Sequence, residues 1–268
     1  MEWLTIIVSS FLTLLAPAGL IIDKVLGDVA RSQLHKTEVL AVRVDNVPSY
    51  QIIDGKVDRI RIGARGIYPI ANARIETFEL ETDPINIDLA TLREKNTTIS
   101  RALRRDASGA FRLVLKERDI NTALQSADIK ARLQKIVDGL IPKQEGMAVQ
   151  SYKLEKVQLQ FLPDRRFNLQ IQAQPFMAEN VPTDPLDLTL EVSVKVVNGR
   201  SIQLSDPEGK LNGRRLSTRL LKGFTDRFTE ELDLQRLEKS GITARILQFR
   251  NDEDTLELAG FLRVAKTP

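Results

Sequence analysis

The sequence predicts an α+β fold: long antiparallel strands whose apolar face is covered by a few helices. Three observations carry this. Residues 3–22 hold no charged side chain. Many later stretches alternate apolar and polar residues with period two, as half-buried strands do. Between them, three stretches repeat apolar residues at helical spacing.

The N-terminal segment comes first. Fourteen of the twenty residues from 3 to 22 are apolar, beginning at Trp3 and Leu4 and ending at Ile21 and Ile22. A helix of twenty residues is about 30 Å long, enough to cross the hydrocarbon of a bilayer. Trp3 stands where an interfacial aromatic anchor sits. Three readings fit this segment. It is an uncleaved membrane anchor, a signal peptide or a buried core helix. Ala16, Pro17 and Ala18 offer small residues at cleavage spacing, although a basic leading region is missing. The expected organisation is residues 1–22 as anchor or signal segment and 23–268 as one α+β domain. Lys24, Arg31 and Lys36 follow the segment and no cation precedes it. By the positive-inside rule alone, that puts the body in the cytoplasm.

The chain then alternates between the two periods. Ile22, Val25, Leu26, Val29 and Ala30 make a helical stripe over 20–34. Strands follow where Val42 and Val44 alternate with Arg43 and Asp45, and Ile60 and Ile62 with Arg59 and Arg61. Phe78 and Leu80 alternate with Glu79 and Glu81; Ile85, Ile87 and Leu89 alternate with Asn86 and Asp88. Phe111, Leu113 and Leu115 form a further set. A second helix is expected over 119–140 on the stripe Ile120, Ala123, Leu124, Ile129, Leu133, Ile136, Val137 and Leu140. Asp119 and Ser126 are its candidate N-caps, and Gly139 with Pro142 its stop. Strands resume at 154–161, 167–173 and 186–196. In the last, Leu186, Leu188, Leu190, Val192, Val194 and Val196 share one face over about 35 Å. A third helix is expected over 214–232, where Leu216, Leu220, Phe224, Phe228 and Leu232 recur every four residues. Gly209 to Arg214 reads as a loop leading into it. Closing strands at 246–249 and 256–261 flank an acidic turn. The pairs Asp83-Pro84, Asp184-Pro185 and Asp206-Pro207 read as loop punctuation.

Composition narrows the chemistry. With 42% hydrophobic and 28% charged residues over 268 positions, the chain can bury a core. It has no Cys, which excludes disulfides, thiol nucleophiles and cysteine-ligated metals. The single His, His35, removes most Ser–His–Asp arrangements and poly-His metal sites. A net charge of +3 and 5% aromatics argue against nucleic acid as a partner. Asp252, Glu253 and Asp254 could hold a hard cation, yet acidic turns between strands are ordinary. Asp83 and Asp88 read as solvated. The expectation is a non-enzymatic protein with no cofactor, no metal site and no catalytic residue. Two basic groups remain, Arg101 with Arg104 and Arg105, and Arg214 with Arg215, Arg219 and Lys222. Each reads either as a solvated face or as a contact for anionic lipid headgroups, where one cation contributes about 1 kcal/mol.

A family resemblance rests on specific runs: Val39 to Asp45 (VLAVRVD), Pro48, Ile52 to Ile62 (IIDGKVDRIRI), Arg74 to Leu80 (RIETFEL) and Ile85 to Leu89 (INIDL). It continues at Phe111 to Leu113, Glu117 to Asn121 (ERDIN) and Phe161 to Pro163. Over about residues 20–265 the chain resembles the bacterial phospholipid-binding family named for the mycobacterial lipomannan elongation factor, in its cyanobacterial form. The stretch before the Gly-Lys turn departs from the family by being reduced to Val47, Pro48, Ser49 and Tyr50. The resemblance implies an exported, membrane-associated protein facing the periplasm or thylakoid lumen. It also implies a fold similar to tubular lipid-binding proteins, with a curved sheet wrapped on helices and an apolar groove.

Together these readings predict a membrane-anchored module that binds a phospholipid or glycolipid for presentation, transfer or sensing. The expected lining is Leu188, Leu190, Val192 and Val194 on the long strand with Leu216, Leu220, Phe224 and Phe228 on the third helix. Arg214, Arg215, Arg219 and Lys222 are the expected headgroup contacts. The rival readings are a membrane-tethered assembly factor with a packed core and an accessory factor or enzyme of envelope glycolipid elongation.

Overall fold

A computed structural model describes residues 35–92, 99–127, 129–131, 133–134, 149–177 and 185–266. The apolar segment 1–22, the helix expected over 20–34 and the helix end at Gly139 and Pro142 lie outside the described residues. Alternating sequence becomes strand throughout the rest, and the strands divide into two principal antiparallel sheets rather than one.

The first sheet contains β1 (Lys36–Asp45), β3 (Arg59–Ile70), β4 (Ala73–Thr82), β6 (Ala107–Lys116), β12 (Ile242–Asn251) and β13 (Thr255–Val264) in the order β1-β3-β4-β6-β13-β12. The second contains β7 (Val149–Leu162), β8 (Arg166–Met177), β9 (Leu186–Val197), β10 (Ser201–Leu211) and β11 (Arg214–Arg215) in the order β11-β10-β9-β8-β7. A two-stranded ladder of β2 (Lys56–Val57) and β5 (Ile85–Asn86) sits beside the first sheet. Among the described residues, helices α1 (Leu89–Leu92), α2 (Ile99–Ala102), α3 (Glu117–Leu124) and α4 (Thr218–Glu231) join them. Single 3-10 turns lie at Ser49–Asp54 and Leu234–Ser240.

The register explains the two faces of the first sheet. Ala64, Phe78, Leu113, Leu258 and Phe249 are cross-strand neighbours, so one apolar row spans five strands. The next row holds Val42, Ile62, Leu80 and Phe111. Gly260 continues that row to Ile246 on β12, and a Cβ at Gly260 would lie 2.7 Å from the Phe111 ring. The opposite face carries charges that pair across strands, with Arg61 on Glu81 at 3.2 Å and Arg112 on Glu257 at 2.7 Å. Such pairing of unlike charges is the sheet counterpart of helical i,i+4 pairs.

In the second sheet Phe161, Phe167 and Val192 are neighbours, as are Leu159, Leu169 and Leu190, and Val157, Ile171 and Leu188. The two sheets meet through rings. Phe167 packs edge-on against Phe161 at 5.3 Å and against Phe249 at 6.3 Å. Beside them the Asn251 carboxamide donates to the Leu162 carbonyl at 2.7 Å.

The helix over 119–140 begins earlier than expected. It starts at Glu117 with Lys116 as N-cap, so Asp119 is an acidic first-turn residue rather than the cap. The turn at Gln125 and Ser126 then separates α3 from further helical residues up to Gln134. Its apolar side puts Ile120, Leu124 and Leu133 on the second sheet. Its polar side does something else. Glu117 accepts from Phe161 N–H at 2.7 Å, and Asn121 both donates to the Leu159 carbonyl at 2.8 Å and accepts from Leu159 N–H at 2.7 Å. Gln125 donates to the Val157 carbonyl, Lys130 to that of Glu155 at 2.9 Å, and Gln134 accepts from Leu154 N–H at 2.7 Å. Polar side chains at near four-residue spacing thus occupy the free edge of β7 in place of another strand.

Four further expectations are corrected. The third helix starts at Thr218, because Ser217 is its N-cap and accepts from Leu220 N–H at 3.4 Å. Arg214 and Arg215 therefore lie in β11, not in the helix. Gly209 to Arg214 forms a hairpin turning at Asn212 and Gly213, both at positive φ. Asp206 and Pro207 sit inside β10 at a register shift, where the missing proline N–H costs nothing. Leu89 begins a helix instead of extending the strand at Ile85.

Candidate functional site

The expected acyl-binding residues come from β9 and α4, and the structure shows how they are positioned. α4 packs on β10, and Gly209 makes the approach close. A Cβ at Gly209 would lie 2.7 Å from Leu221 and 3.1 Å from Leu216. Gly209 is the cross-strand neighbour of Leu190, so Leu216 and Leu221 close the space beside Leu190. Leu190 and Val194 are buried, while Leu188 and Val192 are partly buried. On α4, Leu221 and Thr225 turn inward, Phe228 is partly buried and Leu220 is 42% exposed. The Phe224 side chain lies outside the described residues. The Thr225 hydroxyl satisfies itself by donating to the Lys222 carbonyl at 3.0 Å.

Arg214, Arg215, Arg219 and Lys222 are all exposed around the start of α4. Arg215 and Lys210 border a cleft of about 400 Å³ with Glu191, Glu208, Thr218 and Leu216. A second cleft, about 600 Å³, lies at the end of the first sheet among Asp45, Asp58, Arg59, Glu81 and Asp83. Charged side chains border both, and Val47, Pro84, Ala110 and Phe261 add apolar wall to the larger one. Apolar surface on the sheet faces also remains partly open. Phe111, Leu113, Leu115, Leu256 and Leu258 on the first sheet are partly buried, as are Leu159, Leu169 and Val192 on the second.

The strongest electrostatic feature was not visible in the sequence. Arg74 on β4 donates to Glu38 through two bonds of 3.1 Å, to Asp119 at 2.7 Å and to Glu76. Those bonds raise the Arg74 pKa, and they hold the Glu38 carboxyl below its ordinary value. The cluster fastens the first turn of α3 to β1 and β4. Such a site could be found only by knowing that residues 38, 74, 76 and 119 converge, which local periodicity does not report.

The other candidates are occupied structurally. His35 is exposed and uses its backbone N–H on the Tyr68 carbonyl at 2.9 Å. Asp254 accepts from Thr255 Oγ1 at 2.7 Å and Lys116 Nζ at 3.0 Å, and both lower its pKa. Asp88 caps α1, accepting from Ala90 and Thr91 N–H, and those bonds lower its pKa. Asp83 accepts from the Ser108 hydroxyl. Among the described residues no group of three or more metal-ligating side chains converges, and no helix is long and apolar enough to cross a membrane.

Comparison with known proteins completes the site. A family model described as LmeA-like phospholipid-binding matches residues 14–261. The chain belongs to the LmeA-like phospholipid-binding family. No curated protein and no solved structure matches it. Lipid binding is thus the general function of this LmeA-like chain.

Proposed function

We propose that the chain is a membrane-anchored carrier that lays the acyl chains of a phospholipid or glycolipid along its inner sheet faces. Residues 1–22 tether it, and the body faces the periplasm or thylakoid lumen. It presents, transfers or senses the lipid without covalent chemistry. One observation carries the reading: inward-facing leucines on both sheets, Leu113, Leu115 and Leu258 on one and Leu169 and Leu188 on the other, remain only partly buried. A sheet face that closes on an ordinary core seals such positions. Each methylene kept from water there contributes about 0.8 kcal/mol. Arg214, Arg215, Arg219 and Lys222 supply the positive charge that an anionic headgroup needs. Family membership supports the lipid as partner.

The test is native mass spectrometry of the full chain purified in mild detergent, followed by uptake of a labelled phospholipid. Co-purifying lipid and saturable uptake are expected. A folded chain that carries no lipid and takes up none overturns the proposal in favour of a packed assembly factor.

A further inference from the structure

Three of the most exposed large apolar side chains in the described residues fall within seven positions of one another. Val47 is 84% exposed, Tyr50 67% and Ile53 67%. Their spacing is three, and Tyr50 and Ile53 lie in the 3-10 turn Ser49–Asp54. Side chains three apart in a 3-10 helix eclipse one another, so Tyr50 and Ile53 form a ridge, and the exposed Val47 stands in the chain just before it.

The ridge stands on a fixed base. Asn46 Oδ1 accepts from Asp58 N–H at 2.8 Å, and its amide donates to the Lys56 carbonyl at 3.2 Å. Val47 N–H donates to the Asp58 carboxylate at 2.8 Å. At the other end Gly55 N–H donates to the Ile52 carbonyl at 2.9 Å, and the Gly55 carbonyl accepts from Ile87 N–H at 2.8 Å. A loop held this firmly presents apolar side chains to water by construction, at a standing free-energy cost.

We infer that the Val47–Tyr50–Ile53 ridge inserts into the surface of a phospholipid bilayer, where the chain collects or delivers its lipid. This rests on the lipid-binding reading above, because a phospholipid carrier must touch the bilayer that holds its ligand. Two aliphatic side chains beside one tyrosine suit the interface, where a ring with a polar tip reaches the headgroup level. Exposed Asp54 and Lys56 flank the turn with opposite charges, so the attraction is apolar and independent of anionic lipid. A ridge of three side chains is also small beside the roughly 800 Å² per partner of a stable protein interface.

The absence of cysteine makes the test clean. Ile53→Cys and Val47→Cys in the full chain take an environment-sensitive fluorophore at one position each, and Leu247→Cys, at a residue 74% exposed, is the control. With protein-free phosphatidylcholine vesicles, labels at 47 and 53 are expected to shift to the blue and to be quenched by spin-labelled acyl chains, at low and high salt alike. The label at 247 is expected to remain in water. Val47→Ser with Ile53→Ser should lower vesicle partitioning about ten-fold or more while bound lipid, counted by native mass spectrometry, is unchanged. Labels at 47 and 53 that remain in water overturn the proposal, whether or not the chain sediments with vesicles. A shift that requires added protein overturns it equally and assigns the ridge to a protein partner. Loss of bound lipid in unmodified protein is a separate readout that strikes the carrier reading instead.

Discussion

The Asn121 carboxamide pairs with the backbone of Leu159 as a neighbouring strand would, giving one hydrogen bond at 2.8 Å and taking one at 2.7 Å. Asn121→Ala leaves a donor and an acceptor of β7 unpaired and is expected to cost about 2 kcal/mol. Asn121→Asp keeps the acceptor, loses the donor and should fall between the two. Chemical denaturation of the three proteins orders them; an alanine variant as stable as the parent would show that water replaces the carboxamide.

Gly55 answers a different constraint. Its φ is +77°, and a Cβ would stand 1.9 Å from the Ile87 carbonyl oxygen. Gly213 has φ +76° with nothing within 4 Å of the same point. Gly213→Ala should therefore cost about 1 kcal/mol for backbone strain alone, and Gly55→Ala about 3 kcal/mol or more. Equal melting temperatures for the two variants would remove the steric argument.

Arg74→Gln removes the cation that Glu38, Glu76 and Asp119 share, and leaves Arg118 at 3.5 Å from Asp119 and 3.7 Å from Glu76. Asp119 is only 8% exposed, so the cost should be about 3 kcal/mol. Asp119→Asn is expected to recover part of that loss in the Arg74→Gln background while costing stability on its own. A double-mutant cycle that shows no coupling would separate α3 from this cluster.

Acid should weaken the fold in a defined window. Arg74 bonds lower Glu38, backbone N–H bonds lower Asp88, Lys266 N–H and Arg263 lower Asp106, Thr255 and Lys116 lower Asp254, and Arg112 lowers Glu257. In each case the unfolded chain binds the proton more readily, so stability rises with pH through the carboxylate range. It is fully present above about pH 5 and is lost as pH falls below about 4. Denaturation midpoints between pH 3 and 6 would show this slope; a flat profile would contradict it.

Phe167 joins the sheets through two edge-on ring contacts. Phe167→Ala should cost about 3–5 kcal/mol, and Phe167→Leu distinctly less. A cooperative transition that divides into two in the alanine variant would reveal the sheets as separable units.

The basic group around the start of α4 predicts salt-dependent attraction. Replacing Arg214, Arg215, Arg219 and Lys222 together by Gln should weaken association with anionic vesicles by about 1 kcal/mol per cation at low ionic strength. At high salt the difference should vanish. Loss of binding to neutral vesicles as well would place these residues in apolar rather than electrostatic contact.

Much of the sheet was legible because alternation assigns each residue to a face. The expected strand 186–196 is β9 almost to the residue, and Phe111, Leu113 and Leu115 share the inner face as read. Period two does not name the partner strand, so the division into two sheets was invisible. The third helix was placed well at its end, but the four-residue series Leu216 to Phe228 obscured the inward stripe at Leu221 and Thr225. Asn212-Gly213 is a hairpin signal in the sequence, and the basic residues and leucines that follow it resemble a helix start. The polar ladder from Glu117 to Gln134 has a near four-residue period too, which apolar periodicity does not report. The ridge at Val47, Tyr50 and Ile53 was visible only as a shortened motif, since exposure depends on what the rest of the chain leaves uncovered.

On the far side of the second sheet, Leu204 N–H donates to the Thr229 hydroxyl at 3.1 Å, and Ser201 bridges Asp233. The outer margin of β10 is thereby spoken for by its own helix. Remove that hydroxyl, as in Thr229→Val, and a bare donor is left where a second molecule could dock edge to edge. Resistance to edge-to-edge association would then hinge on one oxygen atom.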